Sequence, residues 1–331
     1  MHRLLLVALV IGCLSPASGH AQSVRATRPN VVLIMTDDLG WADLGSYGAT
    51  EFRTPSLDRL ASEGLRLTEF YANGVTCSPT RAGLISGRYQ QRYGIEAPIL
   101  NADRAGDSGL PAAGDSLPQL LRDHGYATAL IGKWHLGYIE EKSPKAHGFD
   151  YFFGLKSGYH DYYTHNGGEW LSSSAPLFGR KWTVFEGGIR VPAIVRWPGR
   201  IPAGGVSDQV GITMDLTASI LAVTGAPVPA STGLEGINLF PVWEGRAPEI
   251  ERTLFWRAGT GAAKQSAVRR GDWKLVVDGQ HTYVFDLGTD LSERNDLARW
   301  RQDVARALHP LLVEWEASVD ADAASLASSA N

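Results

Sequence analysis

The sequence predicts an α/β protein in which helices cover both faces of a largely parallel sheet. Three observations indicate this class: apolar runs of strand length alternate with helical patterns, glycine and proline punctuate them, and polar residues follow the apolar runs directly. The chain has 331 residues, of which 44% are hydrophobic and 20% are charged, so it can bury a substantial core. This composition excludes intrinsic disorder, collagen and coiled coil as overall classes.

The first predicted strand covers residues 30–35, is apolar enough to be buried, and ends at the adjacent carboxylates of Asp37 and Asp38. Beyond it, strands are predicted over residues 65–71, 127–131 and 191–197, of which 127–131 is buried, and helices over residues 54–64, 77–87, 115–124 and 215–224. First-turn prolines and closing glycines mark the helix ends. In such sheets ligands bind outside the carboxyl ends of the strands, so polar residues at those ends are site candidates.

Beyond about residue 250 the pattern changes to short strands joined by hairpin turns. Residues 266–270 and 273–277 flank a Gly-Asp turn, and residues 282–287 form another strand. An amphipathic helix follows near residues 303–315. This part therefore predicts a small α+β subdomain.

These patterns divide the chain into a signal peptide over residues 1–21, an α/β domain over 28–250, an antiparallel-sheet-plus-helix subdomain over 251–316 and a disordered tail over 317–331. The leader has a basic start, an apolar run too short to span a membrane and a small-residue cleavage zone. We therefore expect export to the periplasm or the medium. A lipobox-like Val-Ile-Gly-Cys run ending at Cys13 leaves lipid anchoring as the alternative.

The net charge and the cysteine content limit which classes of partner this chain can bind and which disulfides it can form. The formal net charge of −4 offers no excess of cations to neutralise phosphates, which argues against nucleic acid as a partner. Two cysteines cannot form a disulfide framework, and removal of the leader would leave Cys77 as a lone thiol, which is unusual in an exported protein. No other segment reaches transmembrane length.

Three polar clusters follow predicted strands: Asp37 with Asp38, Cys77 with Arg81, and residues 133–135, which read Lys-Trp-His. Paired carboxylates suit a hard cation, and a thiol at a helix N-terminus with an arginine one turn later favours an anion. Each cluster also has a structural explanation, namely an exposed turn, a small buried cysteine or a loop anchored by its tryptophan. Their convergence on one edge of one sheet favours a functional site.

Residues 77–81 read Cys-Ser-Pro-Thr-Arg and match the Cys-x-Pro-x-Arg core of the sulfatase signature. The surrounding motifs agree with that family in identity and order over residues 29–40, 54–60, 86–88, 132–137 and 186–192. From about residue 28 to about residue 300 the chain resembles a bacterial member of the arylsulfatase-like, formylglycine-dependent sulfatases. The resemblance implies an alkaline-phosphatase-like fold with a small C-terminal subdomain.

The resemblance also implies a role for each matching residue. Cys77 is converted after translation to formylglycine, whose hydrated aldehyde attacks the sulfur of the substrate. Arg81 holds this group and His135 contacts it, while Lys133 and Lys181 contact the sulfate oxygens and the leaving group. The implied partners are a formylglycine-generating enzyme during maturation and a sulfated small molecule or glycan as substrate.

One Ca²⁺ ion completes the set of cofactors that the resemblance implies. Its implied ligands are Asp37, Asp38, Asn166 and the group derived from Cys77. Carboxylate and amide oxygens suit this hard ion.

The chain departs from the family pattern at His165 and Asn166. His165 stands where the family has an aspartate, no apolar strand precedes it, and the family's second active-site histidine has no counterpart. We therefore predict that an internal segment of several strands and helices is absent between these two residues. One carboxylate ligand and one proton shuttle are lost with it, since imidazole suits softer ions than calcium. Recruitment of His160 or Asp161 as a ligand is the alternative.

The predicted function is hydrolysis of sulfate monoesters, by an active site that the chain encodes for the most part. Two alternatives stay open at this point. A phosphonate or phosphodiester hydrolase of the same superfamily would use the same cations, and a non-catalytic truncated homologue would at most bind sulfated glycans. The missing segment could result either from a true deletion or from an error in the gene model.

Overall fold

The computed structural model describes residues 28–100, 108–158 and 174–329. The predicted signal peptide, and with it Cys13, lies outside these residues. So do His160, Asp161, His165 and Asn166. Within the described ranges no helix is both long and apolar enough to cross a bilayer.

Short strands and helices alternate through most of the chain. The strands before residue 250 are β1 (Leu65–Leu67), β2 (Phe70–Tyr71), β3 (Ala129–Lys133), β4 (Tyr151–Leu155), β5 (Ala193–Val195), β6 (Gly205–Ser207) and β7 (Gly211–Ile212). The helices there are α1 (Pro55–Ser62), α2 (Cys77–Ser86), α3 (Leu117–Asp123), α4 (Glu186–Ile189), α5 (Thr213–Thr224) and α6 (Phe240–Trp243). Single 3₁₀ turns lie at Gly45–Tyr47, Gln90–Tyr93, Glu140–Lys142, Lys145–His147, Ala230–Thr232 and Gly261–Ala263.

The parallel arrangement that the sequence predicts is present as short strand pairs. β1 pairs in parallel with β6 and antiparallel with β5, which gives the order β5-β1-β6. β2 pairs in parallel with β7, and β3 pairs in parallel with β4. In the described residues these pairs are separate small sheets rather than one continuous sheet.

The prediction that the apolar runs at residues 30–35 and 127–131 are buried is wrong. The first run belongs to no assigned strand, and Val32 and Ile34 are 84% and 75% exposed. In the β3–β4 pair, Ile131 lies opposite Phe153, and both side chains are largely exposed. Buried parallel strands need cover on both faces, and no described strand or helix covers these residues.

We expect the double substitution of Ile131 and Phe153 by threonine to leave the free energy of unfolding within about 0.5 kcal/mol, because neither side chain is buried and threonine suits a strand. Self-association should decrease, since the exposed apolar area shrinks. Urea unfolding and light scattering measure the two effects. As the control, Leu136→Ala empties a fully buried position and should cost about 2–5 kcal/mol. A large loss of stability in the double variant would show that the β3–β4 face is covered.

Local sequence determines where α2 begins and ends. Thr76 is extended, with φ −148°, and Pro79 fits the first turn because its fixed φ is helical. Gly87 ends the helix in the left-handed conformation with φ +68°, and its N–H donates to the carbonyl of Gly83. Cys77 is therefore the first residue of the helix, as predicted.

α2 packs against the segment that follows β3. Ala82 and Ile85 of the helix share a hydrophobic cluster with Trp134 and Leu136. This packing brings the start of α2 beside residues 133–135, because both segments cover the same small core. Two of the predicted polar clusters are thereby held together.

The C-terminal strands β8 (Thr253–Ala258), β9 (Gln265–Arg270), β10 (Trp273–Asp278) and β11 (His281–Asp286) form an antiparallel sheet in the order β11-β10-β9-β8. A long helix, α7 (Gln302–Ser329), follows. The main hydrophobic cluster of this sheet also contains Tyr71, Val75 and Ile189 from the α/β part. The sheet and the α/β part thus share one core rather than meeting at a boundary near residue 250.

The prediction of a disordered tail over residues 317–331 is wrong for its described part, because α7 continues to Ser329. Val319 is fully buried and extends the apolar stripe of the helix by one turn. Asp320 pairs with Arg257 at 2.7 Å, and Asp322 pairs with Arg92 at 2.8 Å. The acidic residues that lowered the hydrophobicity of this segment therefore form ion pairs with arginines of the folded domain.

A buried ionic network joins the C-terminal sheet to α4. Lys274 of β10 is fully buried, with its Nζ 2.9 Å from Glu186 Oε1 and 2.8 Å from Glu293 Oε1. Arg190 donates to the other oxygen of Glu186 at 3.0 Å. Although burial raises the pKa of Glu186, Lys274 and Arg190 hold it at about 2. The three ionised groups therefore stabilise one another away from water.

We expect Lys274→Met to reduce the free energy of unfolding by about 3–5 kcal/mol, because Glu293 would remain buried without its cation and Glu186 would keep only Arg190 as an ion-pair partner. The control is Lys264→Met, whose side chain is 41% exposed and pairs with Glu316. That change should cost about 1 kcal/mol or less. Urea denaturation of both variants tests the network, and equal losses would contradict it.

Candidate active site

Cys77 lies half-buried at the N-terminus of α2 and is a free thiol. Arg81 lies one helical turn later, and its guanidinium donates to the carbonyl of Lys133 at 2.7 Å. Burial lowers the pKa of Arg81, and the nearby Asp37 and Cys77 oppose that shift. A guanidinium keeps its proton throughout the physiological range, so a permanent positive charge lies beside the thiol.

The two adjacent aspartates face two lysines. Lys133 Nζ donates to both carboxylate oxygens of Asp37 at 2.9 Å, and Lys181 Nζ donates to Asp38 Oδ2 at 2.9 Å. Arg81 is 3.8 Å from Asp37. The three predicted cationic residues thus surround the two predicted carboxylates, leaving one net positive charge beside α2.

His135 is held against the start of α2. The hydroxyl of Ser78 donates to the carbonyl of His135 at 2.8 Å, and Ile99 N–H donates to the same hydroxyl at 3.0 Å. The ring Nε2 is 2.9 Å from the carbonyl of Ile99. A carbonyl only accepts, so Nε2 carries the proton and Nδ1 is the acceptor.

The neutral form of this imidazole is strongly favoured. His135 is 4% exposed, and burial, together with Lys133 and Arg81 nearby, lowers its pKa to about 4. Among the described residues its buried Nδ1 has no hydrogen-bond partner. Nδ1 is therefore the unprotonated nitrogen of a buried, neutral ring.

A tight loop from Phe178 to Phe185, directly before α4, carries Lys181 to the site. The N–H of Gly187 donates to the carbonyl of Phe178 at 2.7 Å, and the N–H of Trp182 donates to that of Val75 at 3.1 Å. A Cβ at Gly188 would lie 2.1 Å from a carbonyl oxygen of the same loop, so only glycine fits there.

Backbone strain is concentrated at this site. Among the described residues other than glycine, a positive φ occurs at Asp38 (53°), His135 (59°), Trp182 (82°) and Glu293 (50°). The first three belong to or border the cluster just described. Such conformations cost about 1–3 kcal/mol each and typically persist at functional sites.

The described residues do not complete the implied calcium site. They contain no group of three or more His, Cys, Asp and Glu side chains placed to hold a metal. Asp37 and Asp38 are two carboxylates, whereas Ca²⁺ takes about six to eight oxygen ligands. Asn166 lies outside the described residues, so its predicted role as a ligand stays a prediction.

Comparison with known proteins identifies the family. Residues 29–178 match the sulfatase family, and residues 176–318 match the C-terminal part of N-sulphoglucosamine sulphohydrolase. The chain belongs to the sulfatase family. It is 29% identical to N-acetylgalactosamine-6-sulfatase of Sus scrofa over 360 residues, covering 70% of this chain and 69% of that enzyme. It is 46% identical to arylsulfatase G of Mus musculus over 131 residues, covering 40% and 24% respectively.

Solved structures show the same fold. The crystal structure of Ps i-CgsB matches with a TM-score of 0.81 at 20% identity, covering 87% of this chain and 92% of that one. BT4656, solved in complex with its substrate D-glucosamine-2-N,6-O-disulfate, matches with a TM-score of 0.67 at 17% identity, covering 88% and 98%. The predicted alkaline-phosphatase-like fold and the prediction of a sulfuric ester hydrolase are confirmed by this membership.

The alignment with the porcine enzyme is 360 positions long, which is longer than the whole 331-residue chain, although it includes only 70% of this chain. The porcine enzyme thus contains residues that have no counterpart in the aligned part of this sulfatase. The internal deletion near His165 stays a prediction.

The structure adds residues that sequence reasoning did not single out. Ser78 links α2 to His135, Trp182 borders Lys181, and Lys274 lies under α4. A signal existed only for Lys274, which occupies a buried position in an apolar strand. The bonds of Ser78 join residues 21 and 57 positions away, which no local pattern reveals.

We expect acid to destabilise the fold through His135. Its pKa is about 4 when folded against an ordinary 6.5, so between these pH values the unfolded chain binds a proton that the native state does not. The free energy of unfolding should fall by up to about 1.4 kcal/mol per pH unit as the pH decreases through this window. Urea unfolding at several pH values should give a smaller slope for His135→Gln than for the wild type. The exposed His309→Gln should keep the wild-type slope, and identical slopes in all three proteins would contradict this account.

Proposed function

We propose that this sulfatase hydrolyses sulfate monoesters of sugars after conversion of Cys77 to formylglycine. The observation that carries the proposal is the placement of this residue at a helix N-terminus beside Arg81, Lys133 and Lys181. Helix N-termini and clustered cations both favour a bound anion. The names of the relatives support a sulfated sugar as the substrate.

The local charge supports an anionic substrate. Three cations and two carboxylates leave one positive charge on the described side chains, and a bound Ca²⁺ ion would add two more. A sulfate monoester carries one negative charge, which the site can compensate with or without the ion. Lys133 and Lys181 would then exchange part of their contact with Asp37 and Asp38 for contact with the sulfate oxygens.

The residues around Cys77 prepare the reaction. Hydrated formylglycine supplies a hydroxyl nucleophile for sulfur. Arg81 orients this group from one helical turn away, and His135, kept neutral by its lowered pKa of about 4, can accept a hydrogen bond from it at the unprotonated Nδ1. The lysine ammonium groups stabilise negative charge on the sulfate oxygens and on the leaving oxygen.

For the metal, we propose Ca²⁺ as the ion that Asp37 and Asp38 favour, since hard carboxylate oxygens suit it. Its other ligands would come from outside the described residues, and no step above depends on it. For maturation, we propose a formylglycine-generating enzyme as partner and export by the predicted signal peptide. The lone thiol of Cys77 fits both proposals.

A phosphodiester or phosphonate monoester hydrolase is the second candidate, because such substrates also carry a single negative charge that the site can compensate. The choice between sulfur and phosphorus as the attacked atom then depends on relative rates. Turnover of an aryl sulfate and of the matching aryl phosphodiester measures them.

We expect mass spectrometry of the peptide containing Cys77, after co-expression with a formylglycine-generating enzyme, to show an aldehyde or its hydrate. The aryl sulfate should be the faster substrate. Lys181→Ala should lower kcat/KM by about 100-fold, as expected for loss of one group that stabilises developing charge. Lys264→Ala, far along the chain and paired with Glu316, should have no effect. An unmodified thiol, or faster cleavage of the phosphodiester, would overturn the proposal.

A further inference from the structure

Trp182 is a large aromatic residue whose side chain is exposed to solvent rather than buried. Its side chain is 53% exposed, and its ring stacks on no other ring and under no cation among the described residues. It follows Lys181, whose ammonium group contacts Asp38. Trp182 therefore directly follows a proposed sulfate-binding lysine, and its exposed indole does not serve the packing of the core.

The backbone holds Trp182 in an unfavourable conformation. Its φ of +82° is rare for a residue with a large side chain. Glycine or asparagine would adopt it more readily. The N–H of Trp182 donates to the carbonyl of Val75, two residues before Cys77, which fixes its place relative to the nucleophile.

The loop around Trp182 is rigid. Thr183 Oγ1 accepts from the N–H of Arg180 at 3.1 Å and lies 2.8 Å from the carbonyl of the same residue. Close backbone approaches at Gly187 and Gly188 leave no room for a Cβ. A rigid, strained loop that exposes an aromatic ring beside a binding site is the arrangement of a ligand contact.

We propose that the Trp182 indole is a platform on which a sugar ring of the substrate stacks while its sulfate group lies against Lys181. The C–H face of a pyranose ring is apolar enough to pack on an indole, whose flat surface offers a large contact area at low cost in conformational entropy. This inference rests on the proposed function, because it assigns the part of the site that binds the alcohol portion of the sulfate ester. It makes Trp182 a determinant of specificity for sugars.

The test compares two ligands and three proteins by isothermal titration calorimetry. The ligands are N-acetylgalactosamine 6-sulfate and inorganic sulfate. The proteins are the wild type, Trp182→Gly and Trp300→Ala, the last removing another exposed tryptophan far from Lys181 in sequence. Glycine removes the ring and relieves the positive φ, so Trp182→Gly should fold at least as stably as the wild type.

We expect Trp182→Gly to bind the sulfated sugar about tenfold more weakly, which corresponds to about 1.4 kcal/mol, and to bind inorganic sulfate as the wild type does. Trp300→Ala should bind both ligands normally. Wild-type affinity of Trp182→Gly for the sulfated sugar would overturn the platform and leave the proposed function intact. An equal loss for both ligands would also overturn it, because Trp182 would then act by positioning Lys181. A wild type that binds neither ligand would overturn the proposed function and the platform with it.

Discussion

The contacts between the start of α2 and the end of β3 are the interaction on which the site depends. Arg81 donates to the carbonyl of Lys133, and Ser78 donates to that of His135. Both donors lie in the first turns of α2, so the helix that presents Cys77 also holds the segment with the lysine and the histidine. Because these bonds run to backbone carbonyls, they position the strand end whichever way the lysine side chain turns. The cationic cluster and the neutral imidazole follow from this junction.

A second junction, deep in the core, holds the loop with Lys181. α4 follows that loop directly, and its Glu186 is fully buried against Lys274 of the C-terminal sheet. A buried ion pair tolerates little displacement, because moving one partner leaves the other without compensation. The antiparallel sheet therefore does more than complete the core, since it holds the short helix from which the loop returns. The C-terminal part and α4 are joined both by this network and by the hydrophobic cluster that contains Ile189.

The apolar residues on the β3–β4 pair and around residues 31–34 are exposed in the described part of the chain. Their composition is that of strands covered on both faces, yet no described element covers them. In the porcine relative, the aligned region contains residues without a counterpart here. The junction that holds Cys77, Arg81, Lys133 and His135 is formed entirely by described residues, whereas the described residues do not complete a calcium site.

Much of this protein could be predicted from the sequence alone. The 77–81 motif, the helix beginning at Cys77 and the order of strands and helices are properties of adjacent residues, which local physics and a motif determine. Burial could not be predicted in the same way. An apolar run such as residues 30–35 specifies a strand that needs cover, but whether cover exists depends on distant segments. Likewise, only the tertiary structure decided that Asp37 pairs with Lys133 and that Lys274 lies in the core. It also decided that Trp182 has an exposed side chain and a strained backbone with a positive φ. Each of these depends on contacts between residues far apart in the chain. Only the folded structure determines how close such residues lie and how well water is excluded from around them.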